Sequence, residues 1–288
     1  NSFLISTLEA LACGVKNDKT TKTVVAVDSG TIAQPTPPKI EGTVATIPEN
    51  VSFATAESAY TARRYREATD MFGVYVQGKP ENAWGHYMLG LSAWKSGDLE
   101  RARGAFEKSI ELDPKHVKSL LNLTRVLLEQ NQPKLALEKV TTAQEIDSSS
   151  SEVYRLMGRV QTALEDADSA IESYQIALTL DTTDVWSMNN MGLILIKQGR
   201  FDEALPPLAR AVQLRPGAPV FHNNLGIALE HGGHFTAAAE AYRAALAADS
   251  GYTKASVSLA RVDGLSEDPK SEPVELAKVA LTRNEGDF

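Results

Sequence analysis

The chain has 288 residues, 43% hydrophobic and 23% charged, which is ample for a folded core. A net charge of −8 argues against nucleic acid or an anionic lipid surface as the main partner. The single cysteine, Cys13, excludes a disulfide framework, a multi-cysteine zinc site and a CxxCH haem attachment, and no apolar run reaches the ~18 residues of a membrane-spanning helix.

The chain begins with Asn1 rather than methionine, so a start further upstream is expected. Within residues 1–14 the stretch FLISTLEALACG is apolar and ends in small residues at a cysteine. Ala12 and Gly14 flank Cys13, and the segment resembles the end of a bacterial lipoprotein signal peptide. Ala10, where leucine is usual, and Glu9 inside the apolar stretch depart from that pattern. The resemblance implies lipidation of Cys13 and a tether to a membrane surface without a span. The alternative is an apolar stub with an incidental cysteine. Residues 15–48 carry Pro35, Pro37 and Pro38 and no helical period, which reads as a flexible linker.

From 49 to 262 small and apolar residues recur every 34 positions. Gly90, Gly158, Gly192 and Gly226 share one phase, with Thr124 in the gap; Ala68, Ala102, Ala136, Ala170, Ala204 and Ala238 share another. The units are 49–82, 83–116, 117–150, 151–184, 185–218 and 219–252. In each, the fourth, seventh, eighth and eleventh positions form one helical face, such as His86, Leu89, Gly90 and Ala93. A break follows, with Gly97, Gly199 or Gly233, and then a second stripe such as Ala102, Phe106, Ser109 and Ile110. Each unit is therefore helix, turn, helix. Small residues at the eighth and twentieth positions let two helices approach closely while Phe106, Tyr174, Leu208 or Tyr242 fills the adjoining gap. In the first unit Ser52 and Thr55 fall on the apolar stripe, and Pro206 and Pro207 inside a second helix should bend it. Residues 253–262 read as a capping helix with Ser256, Leu259 and Ala260 on the apolar side and Lys254, Ser258 and Arg261 on the polar side. The stretch 263–288 is polar, with a short helix expected from Pro273 to Arg283.

The stretches WGHYMLGLSAWKSGDLERARGAFEKSIELDP (84–114) and MNNMGLILIKQGRFDEALPPLARAVQLRP (188–216) are similar to the tetratricopeptide repeat. This resemblance implies an all-α fold: a right-handed α-solenoid of six helix-turn-helix units plus a C-terminal cap. It also implies a concave groove lined by the first helices and used to bind other proteins.

The second, fifth, sixth and ninth positions of each first helix share a face turned from the core stripe. The resemblance places that face on the groove. It carries Lys118, Asn122 and Arg125, then Glu152, Arg155 and Arg159, then Trp186, Asn189 and Asn190, then Asn223 and Asn224, and finally Lys254. Asparagine amides can pair with an extended backbone, arginine can grip a carboxylate with two bonds, and Trp186 can pack on an apolar side chain. An extended or acidic peptide suits such a stripe. An architectural role, with asparagine bonding neighbouring turns and arginine pairing with the next unit, is the competing reading. The carboxylate clamp of chaperone-binding members, lysine then asparagine at the fifth and ninth positions, is not matched, because Arg155 and Arg159 stand there.

No phosphate loop, nucleophile elbow or HExxH occurs, so no catalytic residue, metal site or cofactor is expected. Glu230-His231-Gly232-Gly233-His234 is read as a turn rather than a ligand set, and His86 and His222 as core residues. The expectation is a non-enzymatic scaffold for a protein or extended peptide, with no nucleic acid partner, placed at the bacterial periplasm or outer membrane by the lipoprotein-like start. The alternatives are a cytoplasmic protein, the recognition arm of a larger enzyme such as a glycosyltransferase carrying these repeats, or a homo-oligomeric structural protein.

Overall fold

A computed structural model describes residues 50–265 and 274–280. Cys13 and its flanks, the linker, Pro273 and Arg283 lie outside the described residues. Among the described residues thirteen helices follow one another from 53 to 262. They are α1 (Phe53–Thr61) and α2 (Tyr65–Gly78), α3 (Ala83–Ser96) and α4 (Leu99–Leu112), α5 (Val117–Glu129) and α6 (Pro133–Ile146), α7 (Ser151–Ala163) and α8 (Ala167–Leu180), α9 (Val185–Lys197) and α10 (Phe201–Leu214), α11 (Pro219–His231) and α12 (Phe235–Ala248), and the lone α13 (Thr253–Val262). A single turn, α14 (Leu276–Val279), packs against α10. It is all that the described residues show of the expected terminal helix.

Local chemistry sets the ends. Asn82, Asp98 and Asp166 each precede a helix and accept the N–H three residues on, at 2.8, 3.1 and 3.2 Å. Ser52 does the same for Thr55, so it caps α1 instead of packing in the core. The turn inside each unit passes through a left-handed residue at the fifteenth position: Arg63, Gly97, Asn131, Glu165, Gly199 and Gly233. The geometry is thus identical in all six units, although only three supply the glycine that suits it. Pro206 and Pro207 lie inside α10, as expected, and the helix runs on through them.

The array holds together at one repeated crossing. Ala68, Ala102, Ala136, Ala170, Ala204 and Ala238 are completely buried. At the eighth position the glycines lie under a large side chain of their own unit. A Cβ would fall 2.6 Å from Phe106 at Gly90, 2.8 Å from Tyr174 at Gly158, and 2.5 Å from Leu208 at Gly192 and from Tyr242 at Gly226. In the third unit the eighth residue is Thr124, bonded to the Leu120 carbonyl at 2.8 Å, and the facing residue shrinks to Val140; both are fully buried. In the first unit Ala56 faces Phe72. Volume gained on one helix is given up on the other, as close packing requires.

Each first helix also approaches the first helix of the next unit (α3 with α5, α5 with α7, α7 with α9), whereas the backbones of second helices stay apart among the described residues, α4 reaching α2 through the long side chain of Arg101, which bonds Asp70 and the Thr69 carbonyl. The first helices therefore form the tighter, inner wall of the curve. At the open end α13 has no second helix packed on it as a hairpin partner among the described residues. Its buried residues are Ala255, Ser258 and Val262, which face back onto the sixth unit, while Ser256 and Ala260 are exposed. The buried side is thus rotated from the expected one, toward the residues that meet α11 and α12.

The Gly90→Thr change should destabilise the protein by about 1–3 kcal/mol through overpacking. Adding Phe106→Val recreates the third unit's pairing, so the double variant should cost less than the two single changes summed. Urea unfolding of the four proteins measures this; strict additivity would show that the two positions do not pack as a pair.

Candidate functional site

The inner wall does not present its asparagines as the stripe suggested. Asn189, Asn223 and Asn224 are essentially inaccessible, and Asn122 is buried. Asn224 Nδ2 donates to Asn189 Oδ1 at 2.8 Å, joining α11 to α9, and Asn223 Nδ2 donates to Asn224 Oδ1 at 3.3 Å. Asn122 donates to the Lys118 carbonyl and accepts from Arg125, both at 2.9 Å. Of these bonds Asn224–Asn189 joins one first helix to another, while Asn122 and Asn223 bond within their own helices; the fifth and sixth positions are covered because adjacent first helices lie close together. As residues free to meet a peptide, Asn189, Asn223 and Asn224 are corrected. Asn190 remains half-buried and faces the groove.

Two arginines are also engaged. Arg125 Nη2 meets Glu152 Oε1 at 2.5 Å, and Arg155 Nη1 meets Asp184 Oδ1 at 3.0 Å. Asp184 is buried and caps α9, accepting the Trp186 and Ser187 N–H groups and the Ser187 hydroxyl. Arg155 therefore neutralises a carboxylate that the helix start already holds, and it acts in the architecture. Trp186 is half-buried, edge-on to Phe221 at 5.2 Å, with the Arg215 guanidinium 5.8 Å from its ring. Lys254 is exposed on α13.

Arg159 differs: it makes no hydrogen bond or ion pair to any described residue. It borders a pocket of about 310 Å³ with Asn190, Thr162, Tyr174 and Glu129, above an apolar floor of Leu128, Ala163 and Leu193. Burial pushes the Arg159 guanidinium below its ordinary pKa; Arg125 and Arg155 push the same way, Tyr174 and Glu129 against it. Burial likewise pushes the Tyr174 hydroxyl up to about 12, with Thr162 and Asn190 acting in the opposite direction.

Residues the stripe omitted complete the wall. Trp84, 43% exposed, lies 4.9 Å from Tyr87 and edge-on to His116 at 5.8 Å, with Lys118 Nζ 5.9 Å from its ring. Trp94 donates its indole N–H to Glu129 Oε1 at 3.0 Å. Trp84 and Tyr87 occupy the second and fifth positions of their unit, so the same spacing that singled out Trp186 reaches them. Trp94, Glu129 and Thr162 sit one turn further, at the twelfth and thirteenth positions. Only Tyr174, on a second helix, carried no sequence signal beyond gap-filling.

A family model described as tetratricopeptide repeat matches residues 53–117, 87–151 and 189–253, together more than half of the chain. The chain belongs to the tetratricopeptide repeat family. ETO1-like protein 2 of Arabidopsis thaliana is 27% identical over 158 residues, 55% of this chain; the chain spans 16% of that relative's length. Photosystem I assembly protein Ycf3 of Prochlorococcus marinus is 26% identical over 156 residues, 49% of this chain and 72% of the relative. A solved structure of Pseudomonas aeruginosa pilF shares the fold, with a TM-score of 0.58 at 20% identity, covering 70% of this chain and 89% of that one.

In this tetratricopeptide array the histidines serve the turns. His86 Nε2 lies 2.9 Å from the Pro80 carbonyl oxygen and His222 Nε2 2.7 Å from that of Pro216, the same bond in two units. His231 stacks on Phe201 at 5.0 Å. No helix among the described residues is long and apolar enough to cross a membrane.

At the capped end Arg261 grips both oxygens of Glu230 at 2.5 and 2.7 Å, and the Tyr242 hydroxyl donates to the same carboxylate at 2.7 Å. Burial pushes the Glu230 carboxyl up, but the bonds from Arg261 and Tyr242 outweigh it and hold the group below its ordinary 4.5. A depressed carboxyl contributes stability above its unfolded pKa and loses it as pH falls through the folded value. The thermal midpoint of Glu230→Gln should lie below that of the parent at neutral pH, and the gap should close below about pH 4.5. A gap that persists or widens in acid would contradict this assignment.

Proposed function

We propose that the chain is a non-catalytic scaffold that holds an extended protein segment in the groove lined by its first helices. The observation that carries this reading is the inner wall itself. The exposed aromatic face of Trp84, backed by the buried Tyr87, occupies one part of it, and Arg159 and Asn190 border a pocket in another. An extended segment can dock apolar side chains on the first part and polar groups on the second. Membership of a family of interaction modules supports the reading, as does similarity to a relative named as an assembly protein. The Ala12-Cys13-Gly14 sequence supports a lipid tether that would set this scaffold at a bacterial envelope membrane, assisting assembly of a complex there.

A photo-crosslinking amino acid placed at Trp84 should capture partners from the native host, whereas the same group at Glu172, exposed on the second helix α8, should not. Affinity for a captured partner should fall about tenfold in Trp84→Ala, as at a modest hot spot. Equal capture from both positions, or unchanged affinity, would remove the groove from the account.

A further inference from the structure

Four arginines lie on the first-helix stripe, and three are matched within the chain: Arg125 by Glu152, Arg155 by Asp184, and Arg261 by Glu230. Arg159 is the exception. Its guanidinium is half-buried, and no carboxylate, carbonyl or amide oxygen among the described residues accepts from it. Withdrawing a cation from water without an acceptor is unfavourable. A folded array that keeps one such group over a pocket is already arranged for an anion supplied from outside.

The surroundings narrow the anion. Asn190 offers an amide, and Thr162 and Tyr174 offer hydroxyls, on the same pocket. Glu129 also borders it, with one oxygen taken up by the Trp94 indole. Glu129 repels an added anion in proportion to its charge, so a singly charged group is opposed less there than a doubly charged phosphate. A planar carboxylate also matches the guanidinium fork. Leu128, Ala163 and Leu193 give the methylenes behind that carboxylate an apolar surface.

We propose that the Arg159 pocket is the subsite for one carboxylate of the bound segment, with Arg159 as the anchor and Asn190 as the second donor. This rests on the groove-binding reading above. The carboxylate comes either from an Asp or Glu side chain or from a chain terminus, and the pocket chemistry is the same for both.

Two acetylated hexapeptide libraries, randomised at every position, separate these sources: one ends in an amide, the other in a free carboxylate. Each is passed over the immobilised full chain and the retained peptides are sequenced. The parent protein should enrich Asp or Glu from the amidated library, or prefer the free-terminus library. Arg159→Gln should lose that enrichment by about tenfold or more, while still retaining the peptides that depend on Trp84. Should Arg159→Gln melt early, Arg159→Lys keeps the charge without the fork, and its enrichment should drop several-fold. Peptides retained without any preference for a carboxylate would overturn the inference and leave the groove reading standing. So would a preference undiminished in Arg159→Gln or, where Lys replaces it, in Arg159→Lys. Retention of no peptide by the parent would overturn both.

Discussion

Two helices of each unit come together where one of them gives up its side chain. The eighth residue of the first helix is Gly90, Gly158, Gly192 or Gly226, and Phe106, Tyr174, Leu208 or Tyr242 of the second helix lies where a Cβ would have been. Thr124 and Val140 solve the same crossing with the volumes exchanged. Because each contact admits only a narrow range of separations, each hairpin has nearly the same shape, and nearly identical hairpins stack with a constant step. The curved inner wall follows from that repetition.

What that wall can do depends on which of its polar groups the stacking consumes. Adjacent first helices touch, so amides at the fifth and sixth positions of the later units are spent on each other, as Asn224 is on Asn189. Arg125 and Arg155 are spent on Glu152 and on the carboxylate that caps α9. These bonds fix the register of one unit on the next. Among the described residues the wall is left with aromatic surface at Trp84 and with one unmatched guanidinium, at Arg159. The pKa of that guanidinium is pushed down chiefly by burial, the signature of a charge that the fold holds without satisfying it.

The fold was legible because the 34-residue period is a packing rule written in side-chain volume, and Gly, Ala and the facing aromatics repeat it visibly. Even the left-handed turn residue occupies the same position in every unit, although at Arg63 and Glu165 the chain adopts it without glycine. The groove was legible only as a face. Helical spacing tells which way Asn189, Asn190 and Asn224 point, but not which of them the neighbouring helix covers; that depends on the inter-unit distance, which one unit's sequence does not encode. The cap illustrates the same limit. Ser256 and Ala260 hold the apolar register, yet they are exposed, because among the described residues no helix of a following hairpin packs on α13. Trp84 and Tyr87 needed only the stripe extended to the second unit. Tyr174 needed the structure, since a gap-filling ring on a second helix gives no sign that its hydroxyl end borders a pocket.

Residue-resolved amide hydrogen exchange tests most directly whether one repeated crossing governs the whole array. Uniform stacking predicts the strongest protection in the backbone around Gly90, Thr124, Gly158 and Gly192, with protection declining smoothly toward α1 and α13. A sharp drop between two interior units, or protection confined to one hairpin, would mean that the units do not share a common crossing, and the continuous inner wall would go with it.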